Sequence, residues 1–167
     1  LPRLATLAAR TVYGAGVRAV VARRVGSYEL VERLGQGGMG EVWKARHLLL
    51  ARPSAVKLIL AEILRGPNEE RATAIERFTR EAQVTASLRS PHTVELFDFG
   101  TGADGTLYYA MELLDGMNLE HFVYRFGPIE PRRAVHWLRQ ACHSLAEAHA
   151  RGLIHRDIKP ANIYLCR

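Results

Sequence analysis

The stretch Leu34-Gly35-Gln36-Gly37-Gly38-Met39-Gly40-Glu41-Val42-Trp43-Lys44-Ala45 decides the fold. Three-glycine patterns occur in dinucleotide-binding folds, in phosphate loops and in ordinary hairpin turns, so the residues that follow must discriminate. In a dinucleotide-binding unit the glycines open a helix, whereas here Glu41 to Ala45 alternates and returns as a strand. No Gly-Lys-Ser/Thr ending follows, which excludes a Walker loop. Upstream, Tyr28 to Leu34 reads as the outgoing strand and Glu41 to His47 as the returning one. The prediction is a hairpin flap whose glycines let the backbone come close to an anionic ligand.

Working outward, Pro53 to Leu60 reads as a third strand carrying Ala55-Val56-Lys57. Pro67 and Asn68 open a helix with Ala74, Phe78, Ala82 and Thr85 at helical spacing and Glu81 riding on it. Strands at Val94 to Phe99 and Leu107 to Leu113, with a turn at Thr101 to Gly105, complete an antiparallel sheet. The N-terminal half is therefore α+β. After Asp115-Gly116 the pattern turns helical, at Leu119 to Tyr124 and at Pro131 to Arg151. In the longer helix Pro131 suits the first turn, Ala134, Leu138, Ala141, Leu145 and Ala148 form a stripe, and Gly152 provides a left-handed stop. No internal repeat or low-complexity stretch interrupts this order.

A loop then carries His155-Arg156-Asp157-Ile158-Lys159-Pro160-Ala161-Asn162. A carboxylate able to accept a hydroxyl proton, a lysine able to neutralise phosphate and an amide oxygen able to ligate magnesium are the parts a phosphoryl-transfer site needs. Each residue also has a plainer reading. Lys57 could extend its stem along the sheet toward solvent, Glu81 could pair with Arg77 or Arg80, and Asp157 could be a turn residue. The turn reading leaves Lys159 and Asn162 at their spacing without an explanation.

Taken together, the glycine loop, the Ala55-Val56-Lys57 strand and the run from His155 to Asn162 resemble the eukaryotic-type protein kinase family, most closely bacterial serine/threonine kinases. The resemblance covers residues 28–167 and implies a two-lobed, protein-kinase-like α+β fold. An antiparallel-sheet N-lobe would span about 28–113, a hinge about 112–116, and the start of a helical C-lobe about 117–167, with 1–27 as a basic extension or linker. It implies transfer of the ATP γ-phosphate to Ser or Thr hydroxyls of protein substrates, with ATP and Mg2+ as cofactors. Residues Leu34, Gly35, Gln36, Gly37, Gly38, Met39, Gly40, Glu41, Val42 and Ala55 would surround the nucleotide, and Lys57 paired with Glu81 would hold its α- and β-phosphates. Asp157 would orient the substrate hydroxyl and take its proton, Lys159 would neutralise the transferred phosphate, and Asn162 would bind magnesium. His155 would be a packed structural residue and Arg156 would meet a phosphorylated activation loop. Met111, Glu112 and Leu114 would form the gatekeeper and hinge, Asn118 would reach the ribose, and Tyr164 would floor the adenine pocket. Lys159-Pro160-Ala161-Asn162 resembles the serine/threonine rather than the tyrosine branch. Ser54 and Val56 depart from the family pattern, in which larger apolar residues are usual.

No Asp-Phe-Gly follows Asn162 within the 167 residues, so the C-lobe is expected to be truncated and this chain by itself inactive. The alternative is a catalytically inert kinase-like module that binds a nucleotide or a partner. The first residue is Leu, which suggests an upstream piece.

The net charge of +6 would suggest a nucleic-acid binder were it spread over the chain. Instead Arg3, Arg10, Arg18, Arg23 and Arg24 carry most of it in a segment without acidic residues. No nucleic acid is therefore expected as a partner, and a solvated helix or linker is preferred there over a membrane-surface or transit segment. Arginines interrupt every apolar run before it reaches membrane-spanning length, so no transmembrane segment is expected. The hydrophobic fraction of 48% suits a globular domain. Cys142 and Cys166 form no CxxC pair; Cys142 is expected to be a small core residue, and a cytoplasmic location follows from that cysteine usage. Oligomeric state has no reading in the sequence.

Overall fold

The computed structural model describes residues 4–6, 23–37, 40–59 and 67–167. Gly38, Met39, Leu60 and most of the basic N-terminal segment lie outside them. The elements run β1 (Leu4–Thr6), β2 (Arg23–Val25), β3 (Tyr28–Gln36), β4 (Gly40–His47), β5 (Pro53–Ile59), α1 (Asn68–Ser87), β6 (Leu96–Thr101), β7 (Leu107–Glu112), β8 (Gly116–Asn118), α2 (Leu119–Phe126), α3 (Pro131–Ala150), a 3-10 turn (Pro160–Asn162) and β9 (Ile163–Cys166). They form two compact units. One holds the described residues up to 86 that follow β1, together with 95–113; the other holds 4–6, 87–94 and 114–167.

In the first unit six antiparallel strands lie in the order β2-β3-β4-β5-β7-β6. Alternation along each strand gives the sheet two different faces. Val25, Tyr28, Leu30, Ala45, Val56, Leu58, Tyr108 and Ala110 form a buried core on one of them, with Trp43 packed against it. The opposite face carries Val42, Lys57 and Tyr109 as one cross-strand row and Ala55 beside Met111 as another. Helix α1 begins where the Arg71 N–H reaches the Pro67 carbonyl, and Glu69 and Glu70 complement the positive end of its dipole. It buries Phe78 and Ala82, four residues apart, as the spacing predicts. At the hairpin turn the Gly37 N–H donates to the Gly40 carbonyl at 2.8 Å. A Cβ on Gly40 would fall 2.3 Å from the Leu58 carbonyl oxygen, so only glycine fits there.

In the second unit β1, β9 and β8 form a three-stranded antiparallel sheet with β9 central. Asn118 ends β8 and caps α2, its Oδ1 accepting the His121 N–H at 2.7 Å. Helix α3 has Pro131 in its first turn, and the Glu130 carboxylate accepts the Arg133 N–H. It ends as expected at Gly152, whose φ is +73°. The Gly152 N–H bonds the His149 carbonyl and the Leu153 N–H the Ala148 carbonyl, which together make a Schellman stop. Leu119, Trp137, Ala141, Ile163 and Leu165 form this unit's core, with Phe122 and Ile129 against it.

The structure corrects several details of the sequence reading. The buried stripe of α3 is Trp137, Ala141, Ser144 and Ala148, while Leu138 is exposed. The helical period is right, but the indole outweighs the leucine and rotates the stripe, packing edge-on against Phe122 at 5.4 Å. Cys142, one position past the buried Ala141, is exposed rather than a core residue for the same reason. The strand expected from Val94 begins instead at Leu96. Residues 87–94 pack in the second unit: the Glu147 carboxylate accepts the Arg89 and Ser90 N–H groups at 2.7 to 2.9 Å, and Thr93 and Ser144 share a buried hydroxyl contact of 2.6 Å. These tertiary bonds override the local strand preference. β1, β2, β8, β9 and the 3-10 turn have no counterpart in the sequence reading, which prefers a solvated helix or linker where Arg23–Val25 pairs with β3.

Candidate functional site

Lys57 is placed by register. Antiparallel pairing sets it between Val42 on β4 and Tyr109 on β7, and it faces α1 rather than solvent. Its Nζ lies 2.6 Å from Glu81 Oε1, with the two side chains only 8% and 18% exposed. This rejects the solvent-reaching reading of Lys57 and the pairing of Glu81 with Arg77 or Arg80. Burial of that order makes the pair demanding, because an ammonium removed from water needs its counter-charge close by. The Tyr109 hydroxyl donates to the same oxygen, also at 2.6 Å. Sequence reasoning missed Tyr109. The signal that could have found it is the register itself, which sets it directly opposite Lys57.

In the glycine loop Val42 shares this face, while Glu41, one position earlier, turns its side chain away from it. Glu41 pairs with Gln36 and Leu58, and its carboxylate accepts from Arg33 at 3.2 Å and Trp43 at 3.0 Å. Its carboxylate is committed within the hairpin, so what Glu41 offers a ligand is backbone. Leu34, Gly35 and Gln36 end β3, Gly37 begins the turn, and Gly40, Glu41 and Val42 open β4. The expectations for Gly38 and Met39 fall outside the described residues. Ala55 and Met111 are a buried cross-strand pair on the Lys57 face. The Glu112 N–H is taken by the Glu95 carbonyl. Leu114 lies two residues past the end of β7 and opens the 114–167 stretch of the second unit.

In the second unit Asp157 and Lys159 lie on an exposed loop. The Lys159 ammonium donates to both carboxylate oxygens of Asp157, at 2.6 and 2.8 Å. Asn162, buried at 1% exposure, donates its amide Nδ2 to the Asp157 carbonyl at 2.8 Å and to Asp157 Oδ2 at 3.0 Å. Two oxygens on one side fix the orientation of this amide, so Oδ1 points away, buried and without a hydrogen-bond partner. The Lys159 hydrogen bond holds the Asp157 carboxyl below the usual aspartate range, outweighing desolvation, and Asn162 adds a smaller push in the same direction. Asp157 is accordingly an ionised acceptor at neutral pH.

The backbone around it is held tightly. Arg156 has φ +61°, a left-handed conformation that costs a non-glycine residue about 1 kcal/mol. The Asp157 N–H donates to His155 Nδ1 at 3.3 Å, so His155 acts within the loop as a structural partner. Tyr164 on β9 is buried and pairs across to Asn118 on β8. Asn118 uses its Oδ1 in the cap of α2.

Comparison with known proteins agrees with this geometry. The family described as protein kinase domain matches residues 28–167. The chain is 42% identical over 142 residues to the serine/threonine-protein kinase PknH of Mycobacterium bovis, covering 85% of this chain and 23% of that protein. It is 45% identical over 143 residues to the serine/threonine-protein kinase PknB of Mycolicibacterium smegmatis, covering 84% and 22% respectively. The chain thus spans less than a quarter of the length of these curated relatives. Among solved structures, the Mycobacterium tuberculosis PknI kinase domain superposes with a TM-score of 0.69 at 32% identity, covering 90% of this chain and 60% of that one. By sequence over residues 28–167 and by fold, this chain belongs to the protein kinase domain family.

Proposed function

We propose that this chain carries the nucleotide-binding and phosphotransfer elements of a bacterial serine/threonine protein kinase, which moves the γ-phosphate of ATP to Ser or Thr hydroxyls of proteins. The observation that carries the reading is the Asp157, Lys159 and Asn162 cluster: an ionised carboxylate held by an amine and an amide, with the amide oxygen left over. The names of the relatives and the Lys159-Pro160-Ala161-Asn162 sequence support the serine/threonine assignment.

In this reading Asp157 orients the acceptor hydroxyl and receives its proton. A carboxylate held below its usual range is a weak base, so the proton arrives late, when the bond to phosphorus is already forming. Lys159 rests on Asp157 and turns to the transferred phosphate. Lys57, steadied by Glu81, takes the α- and β-phosphates, and the backbone from Gly35 to Val42 covers them. Val42, Ala55 and Met111 give an apolar surface for the adenine; Tyr164 and the backbone of Glu112 and Leu114 are assigned to the same base in this reading, on the family resemblance alone. Magnesium fits Asn162 Oδ1, a hard amide oxygen that is buried and lacks a donor. When bound, the ion neutralises phosphate charge. Asn118 caps α2 through Oδ1 and offers its Nδ2 donor to the ribose in this reading. No helix among the described residues is long and apolar enough to cross a membrane, and Cys142 and Cys166 are free thiols. The reading puts the reaction in the cytoplasm, where ATP is available and thiols stay reduced.

The test uses the full-length protein with labelled ATP, magnesium and a general protein substrate such as myelin basic protein. Phosphoserine or phosphothreonine is expected, and Lys57→Met should abolish it. Nucleotide binding without transfer would leave an inert kinase-like module, and predominant phosphotyrosine would overturn the acceptor assignment.

A further inference from the structure

Glu81 Oε1 receives two donors at equal distance, Lys57 Nζ and the Tyr109 hydroxyl, each at 2.6 Å. The arrangement follows from two repeats meeting. Register puts Tyr109 opposite Lys57 on the sheet, and helical spacing puts Phe78 and Glu81 on one face of α1. The Tyr109 ring lies 5.1 Å from the Phe78 ring, and the Lys57 ammonium lies 5.4 Å from the Tyr109 ring centroid. Phe78 is fully buried and Tyr109 nearly so. A phenylalanine would fill the same volume, so packing alone does not account for the hydroxyl. A buried hydroxyl needs a partner, and this one finds the carboxylate that holds the lysine.

We propose that Tyr109 is a positioning residue: its hydroxyl clamps Glu81, and through it α1, in the arrangement that presents Lys57 for phosphate before any nucleotide arrives. The proposal rests on the reading of Lys57 as the phosphate-binding lysine. A carboxylate with one donor can swing about its own torsions, and part of the Glu81 side chain still meets water. A second charge-assisted bond to the same oxygen removes that freedom, while the Tyr109 and Phe78 ring contact fixes the distance between helix and sheet. Burial first, and the Glu81 charge second, push the Tyr109 phenol well above its usual range. The clamp therefore stays a donor at every physiological pH. Tyr108, the next residue, serves as a contrast: it points to the other face and donates to Asp98 at 3.2 Å.

Tyr109→Phe keeps the ring and removes only the donor. In the full-length protein, the dissociation constant of a fluorescent ATP analogue with magnesium should rise roughly tenfold in Tyr109→Phe. Tyr108→Phe should leave it unchanged. If Tyr109 acts through Glu81, the same substitution in a Glu81→Ala background should change affinity by less than about twofold. A second readout needs neither nucleotide nor turnover. The 15N resonance of Lys57 Nζ, assigned with Lys57→Met, should move in nucleotide-free Tyr109→Phe toward its position in Glu81→Ala. An equal loss of affinity in both backgrounds would show that Tyr109 acts elsewhere and overturn the proposal. So would an unchanged Lys57 resonance in Tyr109→Phe, including where Glu81→Ala fails to fold. A wild-type protein that binds no nucleotide would overturn the functional reading alone, and the Lys57 resonance would still decide the role of Tyr109.

Discussion

Lys57 and Asp157 each meet an oppositely charged partner at 2.6 Å, yet the two pairs are built differently. The Lys57 and Glu81 pair joins residues from a strand and a helix, is mostly withdrawn from water, and depends on a sheet register set across three strands. In the Asp157 and Lys159 pair the side chains are 58% and 38% exposed, and both residues come from one short loop. In the first region site and fold share the same contacts, so damage to one is damage to the other. The second region sits on the finished fold, so its chemistry can be removed while the fold stands.

The sharpest way to break this contrast is Asp157→Asn in the full-length protein. Turnover should fall by roughly 10² to 10⁴, the usual range for losing a positioned proton acceptor. Nucleotide affinity and melting temperature should stay close to wild type, because the carboxamide keeps the shape and the loop is exposed. A large drop in melting temperature would show that the loop pair also supports the fold. Glu81→Ala probes the other region. It removes the carboxylate that faces a buried ammonium and should lower the unfolding free energy by about 3 kcal/mol in denaturant titration. A loss near zero would mean that the pair behaves like a surface ion pair and that the contrast fails.

The smallest effect expected is a change in pH profile. Asp157 must be ionised to accept a proton, and its pKa is lowered in the fold, chiefly by Lys159. The acid limb it sets on turnover therefore lies below the ordinary aspartate value, and activity persists as pH falls through that value. In Lys159→Ala the main cause of the lowering is gone, so the limb should move up toward the ordinary range, with residual turnover followed from pH 3 to 6. A limb that stays in place would assign the lowering to Asn162 instead.

The same contrast explains what could be read from the sequence. Asp157, Lys159 and Asn162 were legible because their partners lie within a few residues, so spacing alone brings them together. The hairpin, α1 and α3 were legible because period and capping act locally. The link from Lys57 to Glu81 came from family resemblance, since nothing local joins a strand residue to a helix residue 24 positions later. Tyr109 was missed because its partner depends on register, which only the assembled sheet fixes. Leu138, Cys142 and Val94 were misplaced because neighbouring elements decide which side of an element is buried.

Strand β9 begins at Ile163, directly after Asn162, and lies between β8 and β1. Leu4 pairs with Leu165 and Thr6 with Ile163, so residues near the two ends of this sequence zip together beside the amide proposed to hold magnesium. Pairing across such a separation closes a very long loop, which carries a high entropic cost and ranks among the slow contacts of folding. During synthesis β1 leaves the ribosome early and waits for its partner until Cys166 has followed. Asn162 thus receives its final setting only once β9 has been made, later than the six-stranded sheet with Lys57 could have formed.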